Sequence, residues 1–298
     1  MNFQIMHKTR YIYHEPVSLC YNLTRLLPRE LPYQEVEKSR LGIVPLAIDS
    51  REQLDFFGNR VVYFSIHQPH DVLTVTAASR VRLRPELRTA DFSGDLHWHQ
   101  ARGYLSESRD PEAIEAFQFI LASPLAAPTP ELAAYAGASF PESGGLLEGV
   151  SDLMHRIHAD FEYVPGFTTI TTPLDELFRH RRGVCQDFAH FAIGCLRSIG
   201  LAARYISGYI ETLPPEDQPH FKGADASHAW FSVFVPGKGW VDFDPTNDSL
   251  PRDQHITVAW GRDYADVTPL KGIVFSSGSH ELSVTVDIER VAGLGDGL

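Results

Sequence analysis

Three residues in this chain carry side chains that could act together on an electrophilic carbon: Cys185, His228 and Asp244, in that order. Cys185 sits in Arg182-Gly183-Val184-Cys185-Gln186-Asp187-Phe188, where Gly183 permits a tight turn and a helix begins at or beside the cysteine. The unpaired N–H groups and positive dipole end of a helix start stabilise a thiolate. With a histidine alongside, they can lower a cysteine pKa from about 8.5 to roughly 3.5–7.5. Most free cysteines are nevertheless small buried apolar residues. Cys195, on the apolar stripe of the same helix, and Cys20, in a strand-like stretch, read that way. About ten residues of helix place Cys185 and Cys195 about 15 Å apart, beyond disulfide reach.

A cysteine nucleophile needs a base, and the base needs an orienting partner. His228 opens the apolar strand Ser227 to Val235; Pro236-Gly237-Lys238-Gly239 turns the chain, and Trp240 to Asn247 returns. A three-residue loop at 236–238 pairs Val235 with Gly239 and hence Trp230 with Asp244. Asp244 then lies diagonal to His228, a separation of about 7–8 Å between backbone positions that side chains of this size bridge. Asp242 shares the parity but lies two residues further away. A one-residue slip would send both aspartates to the opposite face.

Other chemistries have less support. There is no CxxC or HExxH spacing, and His97-Trp98-His99 alone is weak, so no metal is expected. P-loop, GxGxxG and GxSxG motifs are missing as well, which leaves no cofactor to expect. The net charge of −12 argues against nucleic acid and anionic membranes as partners. The N-terminus shows no secretory signal pattern, nothing approaches the roughly 20 apolar residues of a membrane span, and three cysteines fit a reducing compartment. A cytoplasmic location is the expectation.

The elements that must hold these residues follow from periodicity. The first ninety residues read as short strands, including 3–7, 9–13, 60–66, 73–76 and 79–83, spaced as in a β-sandwich. Asp110-Pro111 and Thr129-Pro130 are helix starts with proline at the first helical position, and 146–161 carries an apolar stripe. The helix over 183–199 ends at Gly200. Strands follow at 203–210, 228–235 and 240–243, then near 272–275 and 282–288. The reading is α+β: an N-terminal β domain over 1–105, a helical connection over 106–150 and a catalytic domain over 151–298.

Gly183-Val184-Cys185-Gln186-Asp187-Phe188-Ala189-His190, Gly200 to Tyr209, Ser227-His228-Ala229-Trp230 and Gly239 to Thr246, with its Asp244-Pro245-Thr246 step, closely resemble the bacterial transglutaminase-like core. Thr9 to Tyr13 with Pro16-Val17, Arg25 to Arg29 and Gly58-Asn59 resemble the β domain that often precedes it, and Gly261 to Val267 resembles its C-terminal segment. The resemblance implies a papain-like fold in which a helix carrying the cysteine packs on an antiparallel sheet carrying the histidine and aspartate. It also implies a triad: Cys185 forms a thioester, His228 shuttles the proton and Asp244 holds the imidazole. The Cys185 N–H is then an oxyanion donor, with Tyr163 and Gln186 as candidates for a second donor or for shaping the site. Asp187 and His190 read as structural hydrogen-bonding residues.

Animal cross-linking transglutaminases usually carry Trp after the nucleophile, where this chain has Gln186, and none of their calcium loops is recognisable. Hydrolysis of a peptide or protein amide is therefore the leading expectation. Glutamine acyl transfer or deamidation by the same triad comes second, and a non-catalytic binding module third. The Pro-, Asp- and Glu-rich stretch 211–226 is expected to border the substrate cleft. Oligomeric state and the role of the β domain are left open by the sequence.

Overall fold

The computed structural model describes residues 1–88, 90–211, 226–276 and 278–291. Six strands open the chain: β1 (Asn2–Val17), β2 (Leu19–Thr24), β3 (Gln34–Val44), β4 (Asp49–Leu54), β5 (Arg60–Ile66) and β6 (His70–Leu83). Burial alternates residue by residue along most of β1 and β6, the period expected of a strand with one face in a core. In β4 all six side chains are exposed, so an edge strand of sequence DSREQL carries no apolar pattern by which it could be found.

Four helices follow: α1 (Trp98–Glu107), α2 (Pro111–Phe117), α3 (Pro130–Gly137) and α4 (Leu146–Asp160). α2 and α3 start at the two prolines that the sequence marks, and Thr129 accepts the Leu132 N–H as an N-cap. Next come β7 (Glu162–Tyr163), α5 (Leu174–His180), β8 (Arg182–Gly183), α6 (Cys185–Ser198), β9 (Ala203–Ile210), β10 (Ala226–Val235), β11 (Gly239–Phe243), β12 (His255–Gly261), α7 (Tyr264–Val267), β13 (Leu270–Phe275) and β14 (His280–Val291). No helix among the described residues is long and apolar enough to cross a membrane.

Three four-stranded antiparallel sheets result, ordered β14-β1-β6-β3, β13-β2-β5-β4 and β11-β10-β9-β12. The first two share a core containing Val17, Cys20, Phe64, Ile66, Leu73 and Val75, the sandwich that the strand spacing predicts. Its outer strands come from the far end of the chain: β14 runs beside β1 from Asn2↔Val291 to Tyr13↔His280, and β13 lies beside β2. The sequence places this C-terminal segment in the 151–298 unit; in the fold, residues 270–291 belong to the sandwich. Alternation identifies a strand but not its partner across more than 250 residues.

The third sheet is the mixed core's platform. α6 packs on β10 and β9, with His190 against Tyr205 of β9, while Phe191 packs on Tyr135 of α3 and Phe178 of α5, and both Phe188 and Phe191 meet Phe161. The same apolar cluster takes in Phe3 and Ile5 of β1, Val81 and Leu83 of β6, and Val286 and Ile288 of β14. The sandwich and the core therefore share buried surface rather than being joined by a linker alone.

Two side-chain amides from the sandwich finish the edge of the platform. Gln34, fully buried, donates to the Thr257 carbonyl at 2.7 Å and accepts its N–H at 2.8 Å. Asn59, equally buried, makes the corresponding pair with Trp260 at 2.8 and 2.9 Å. Backbone groups at a buried sheet edge must find partners, and these carboxamides mimic a further strand along β12. The sequence shows Asn59 only as a turn residue after Gly58, which does have the positive φ of a turn (72°).

Candidate active site

Cys185 is the first residue of α6, so its N–H has no acceptor within the helix. The start of α6 is fixed by Asp187, whose carboxylate accepts the Val184 N–H at 2.8 Å and the Thr168 hydroxyl at 2.5 Å. Gly183 has a different reason from the tight turn that the sequence suggests. It lies in β8, paired in parallel with Tyr163, and a Cβ there would sit 2.8 Å from both the Asp187 carboxylate and the Leu177 side chain. Close approach excludes a side chain.

The β10–β11 hairpin has the register inferred from its sequence: Val235 pairs with Gly239 and Phe231 with Phe243. Gly237 and Gly239 both take positive φ in the turn. His228 and Asp244 are buried, and the His228 Nε2 lies 2.7 Å from Asp244 Oδ2. Cys185 lies close enough to His228 for its thiol to help raise the imidazole. Since Nε2 faces the carboxylate, Nδ1 is the nitrogen left for the sulfur. The structure thus brings together the cysteine, histidine and aspartate singled out in the sequence. Asp242 instead pairs with Arg88 at 2.5 Å and accepts from Ser232.

Sequence reasoning missed two further members. Asn247 Nδ2 donates to Asp244 Oδ2 at 2.7 Å, and the Thr246 and Asn247 N–H groups donate to Oδ1 at 3.0 and 3.3 Å. His255, on β12, places its Nε2 2.9 Å from the same Oδ2. β12 is buried almost throughout, so it lacks the alternation that reveals half-buried strands. Among fourteen histidines nothing local distinguished this one.

The electrostatics of the cluster are divided between its two imidazoles. Burial opposes charge on Asp244, but the His228 and His255 hydrogen bonds outweigh it and hold the carboxyl well below its usual range. For His228 burial is again the largest influence, yet the Asp244 and Cys185 interactions overcome it and raise the imidazole to about 10. For His255 burial prevails and its pKa is lowered. One imidazole is therefore kept charged and the other neutral, on a single carboxylate.

His228, Asp244 and His255 present three ligand atoms within 4.8 Å of one another, close enough to invite a metal reading. Both Nε2 atoms lie at hydrogen-bond distance from an oxygen that Asn247 also donates to, so that oxygen's lone pairs are committed to N–H donors. Holding a cation would require both imidazoles to give up those protons. The donor set suits a hydrogen-bond network better than a metal centre.

The remaining sequence candidates lie beside Cys185. Tyr163 is half exposed and packs edge-on to Phe188; burial and then the Cys185 charge raise its hydroxyl. The Gln186 amide is turned towards the Ile170 carbonyl at 3.4 Å. His190 accepts the Tyr264 N–H at 3.1 Å. Of the stretch 211–226, Glu211 is buried and paired with Arg290 of β14 at 2.7 Å. Residues 212–225, which carry the expected cleft border, lie outside the described residues.

Known proteins resemble this chain along nearly its whole length. Residues 3–82 match the bacterial transglutaminase-like N-terminal region, and residues 136–245 match the core of the transglutaminase-like superfamily. The chain belongs to this superfamily. It is 38% identical over 298 residues to an uncharacterized protein of Mycobacterium tuberculosis, covering 98% of this chain and 93% of the relative. To an uncharacterized protein of Mycobacterium leprae it is 33% identical, covering 97% and 99%. A crystal structure of a candidate cysteine protease from Cytophaga hutchinsonii superimposes with a TM-score of 0.72 at 21% identity, covering 99% of this chain and 92% of that one. That likeness establishes the shared fold. A 107-residue stretch is 34% identical to a protein-glutamine gamma-glutamyltransferase of Pseudomonas aeruginosa, covering 34% of this chain and 16% of the relative.

Proposed function

We propose that this protein hydrolyses peptide or protein amide bonds through a thioester on Cys185. The observation that carries the reading is an imidazole hydrogen-bonded to a buried carboxylate and raised in part by a cysteine at a helix start. The Cys185 thiolate attacks the amide carbon, and the electron pair moves onto the carbonyl oxygen, facing the Cys185 N–H. Collapse of this oxyanion expels the amine, which takes a proton from the His228 imidazolium and leaves the thioester. Water then gives a proton to His228 and adds to the acyl carbon; release of the thiolate restores the ion pair and yields the carboxylic acid, which loses its proton to solvent. Asp244 keeps His228 charged and its Nδ1 aimed at the sulfur. Tyr163, whose hydroxyl is raised by burial and by the Cys185 charge, is the candidate for a second oxyanion donor, and the Gln186 amide is engaged at the Ile170 carbonyl.

A second reading, transfer of a glutamine acyl group to an amine, is favoured by the Pseudomonas aeruginosa likeness. Partition of the thioester separates the two. Protein digests incubated with the enzyme and a labelled primary amine are expected to give cleaved peptides in excess of deamidated peptides and amine adducts, all lost in Cys185→Ala. Predominant amine adducts would assign transfer instead.

A further inference from the structure

His255 is buried and is built into the dyad from two sides. Its Nε2 shares Asp244 Oδ2 with His228 Nε2, at 2.9 and 2.7 Å. Its ring is packed edge-on to Trp230, which also lies beside His228. Its backbone carbonyl accepts from Arg88 Nη1 at 2.8 Å, while Arg88 Nη2 binds Asp242 at 2.5 Å, so one guanidinium ties β12 to β11 just beyond Asp244. Two residues further along, Gln34 clasps Thr257. Every neighbour of this imidazole restricts how it can move.

The proton arrangement gives this rigidity a purpose. Oδ2 needs a donor from His255, and a neutral ring supplies one N–H without adding a positive charge that would compete with the His228 imidazolium. The carboxylate is thereby fixed in direction and keeps its negative charge for His228. We infer that His255 is a positioning residue of the proposed site, holding the Asp244 carboxylate in line with His228 so that the thiolate–imidazolium pair forms. This rests on the proposed cysteine chemistry, and the test separates the two.

The test titrates the ultraviolet absorbance of the Cys185 thiolate against pH in wild type, His228→Ala, His255→Leu and His255→Gln, with thermal melting as the check on folding. Groups facing the pair and His255 from the elements around them are Asp244, Asn247, Arg88, Tyr163 and Tyr205, and all are retained in these variants. Wild type is expected to show the thiolate at pH values well below about 8.5, the range of a free thiol. In His255→Leu the thiolate population near pH 6 should fall by about tenfold, the effect of losing one hydrogen bond to a charged group, and the titration should move up towards the His228→Ala curve. His255→Gln, whose amide N–H replaces the imidazole donor, should recover most of the loss. A merely structural histidine would lower the melting temperature and leave the titration in place. An unmoved titration in folded His255→Leu, or in His255→Met where the leucine variant does not fold, overturns the inference while leaving the cysteine mechanism standing. No low-pH thiolate in wild type overturns both.

Discussion

Replacing Asp244 by asparagine is expected to lower kcat by about 10³–10⁴ with little change in KM, the scale on which a triad loses its correct imidazole tautomer. The size follows from five donors converging on one carboxylate. The Thr246 and Asn247 N–H groups point at Oδ1, and as backbone they cannot turn away. The oxygen of an asparagine amide must take that place, which puts its NH₂ where Oδ2 faced His228, His255 and the Asn247 side chain. His228 can then avoid a clash of donors only by presenting a lone pair at Nε2. Its proton moves to Nδ1, the nitrogen that must accept from the thiol, and the imidazolium loses its counter-charge. Turnover of a peptide identified in the partition assay, measured alongside melting temperature, checks this. A folded variant retaining more than about a tenth of wild-type kcat would contradict the role given to Asp244.

The largest expected effect on stability lies at the other end of α6. Arg197 is buried and spends all three nitrogens on five acceptors: the carbonyls of Phe119, Ala126, Ala203 and Arg262 and the Ser123 hydroxyl, at 2.6–3.1 Å. It gathers the loop before α3, the start of β9 and the segment before α7 around one guanidinium. Arg197→Met fills much of the volume and takes a donor from four carbonyls, of which that of Phe119 keeps the Ala203 N–H. Each costs about 1–3 kcal/mol, but the costs do not add fully where the site can relax, and about 3–5 kcal/mol is expected. For a chain of this size that is a fall of about 6–10 °C in Tm. Calorimetry measures it directly, and a fall under about 2 °C would show that the network contributes little. The surviving folded fraction should still carry a reactive Cys185, because twelve residues of rise separate Arg197 from the nucleophile by about 18 Å of helix.

These two residues mark the boundary of what the sequence displays. Asp244 was legible because a hairpin is local: Pro236-Gly237-Lys238-Gly239 sets the turn, the turn sets the register, and register decides which side chains share a face. α6 was legible for the same reason, through its apolar stripe and Gly200. Arg197 was not, because an arginine inside a helix ordinarily marks a solvated face, and its five acceptors come from three separate segments. His255 was hidden likewise on a fully buried strand. The strands β13 and β14 were visible as strands, but their return to β2 and β1 was not, since pairing across the length of the chain leaves no local trace. Gln34 and Asn59 show the limit most plainly. Their function is to complete the edge of β12, a strand brought beside them only by folding.

The pH dependence of iodoacetamide alkylation at Cys185, in wild type and in His228→Ala, tests the central claim most directly and requires no substrate. Cys20 and Cys195 are fully buried, and burial raises both thiols, so the reaction in folded protein reports Cys185. With His228 held charged up to about pH 10, fast alkylation of wild type is predicted to persist well below about 8.5, the pKa of an ordinary thiol, and to be lost in the variant. Slow alkylation that rises only near that value, and does so identically in both proteins, would contradict a histidine-activated thiolate and leave a binding module built on this fold.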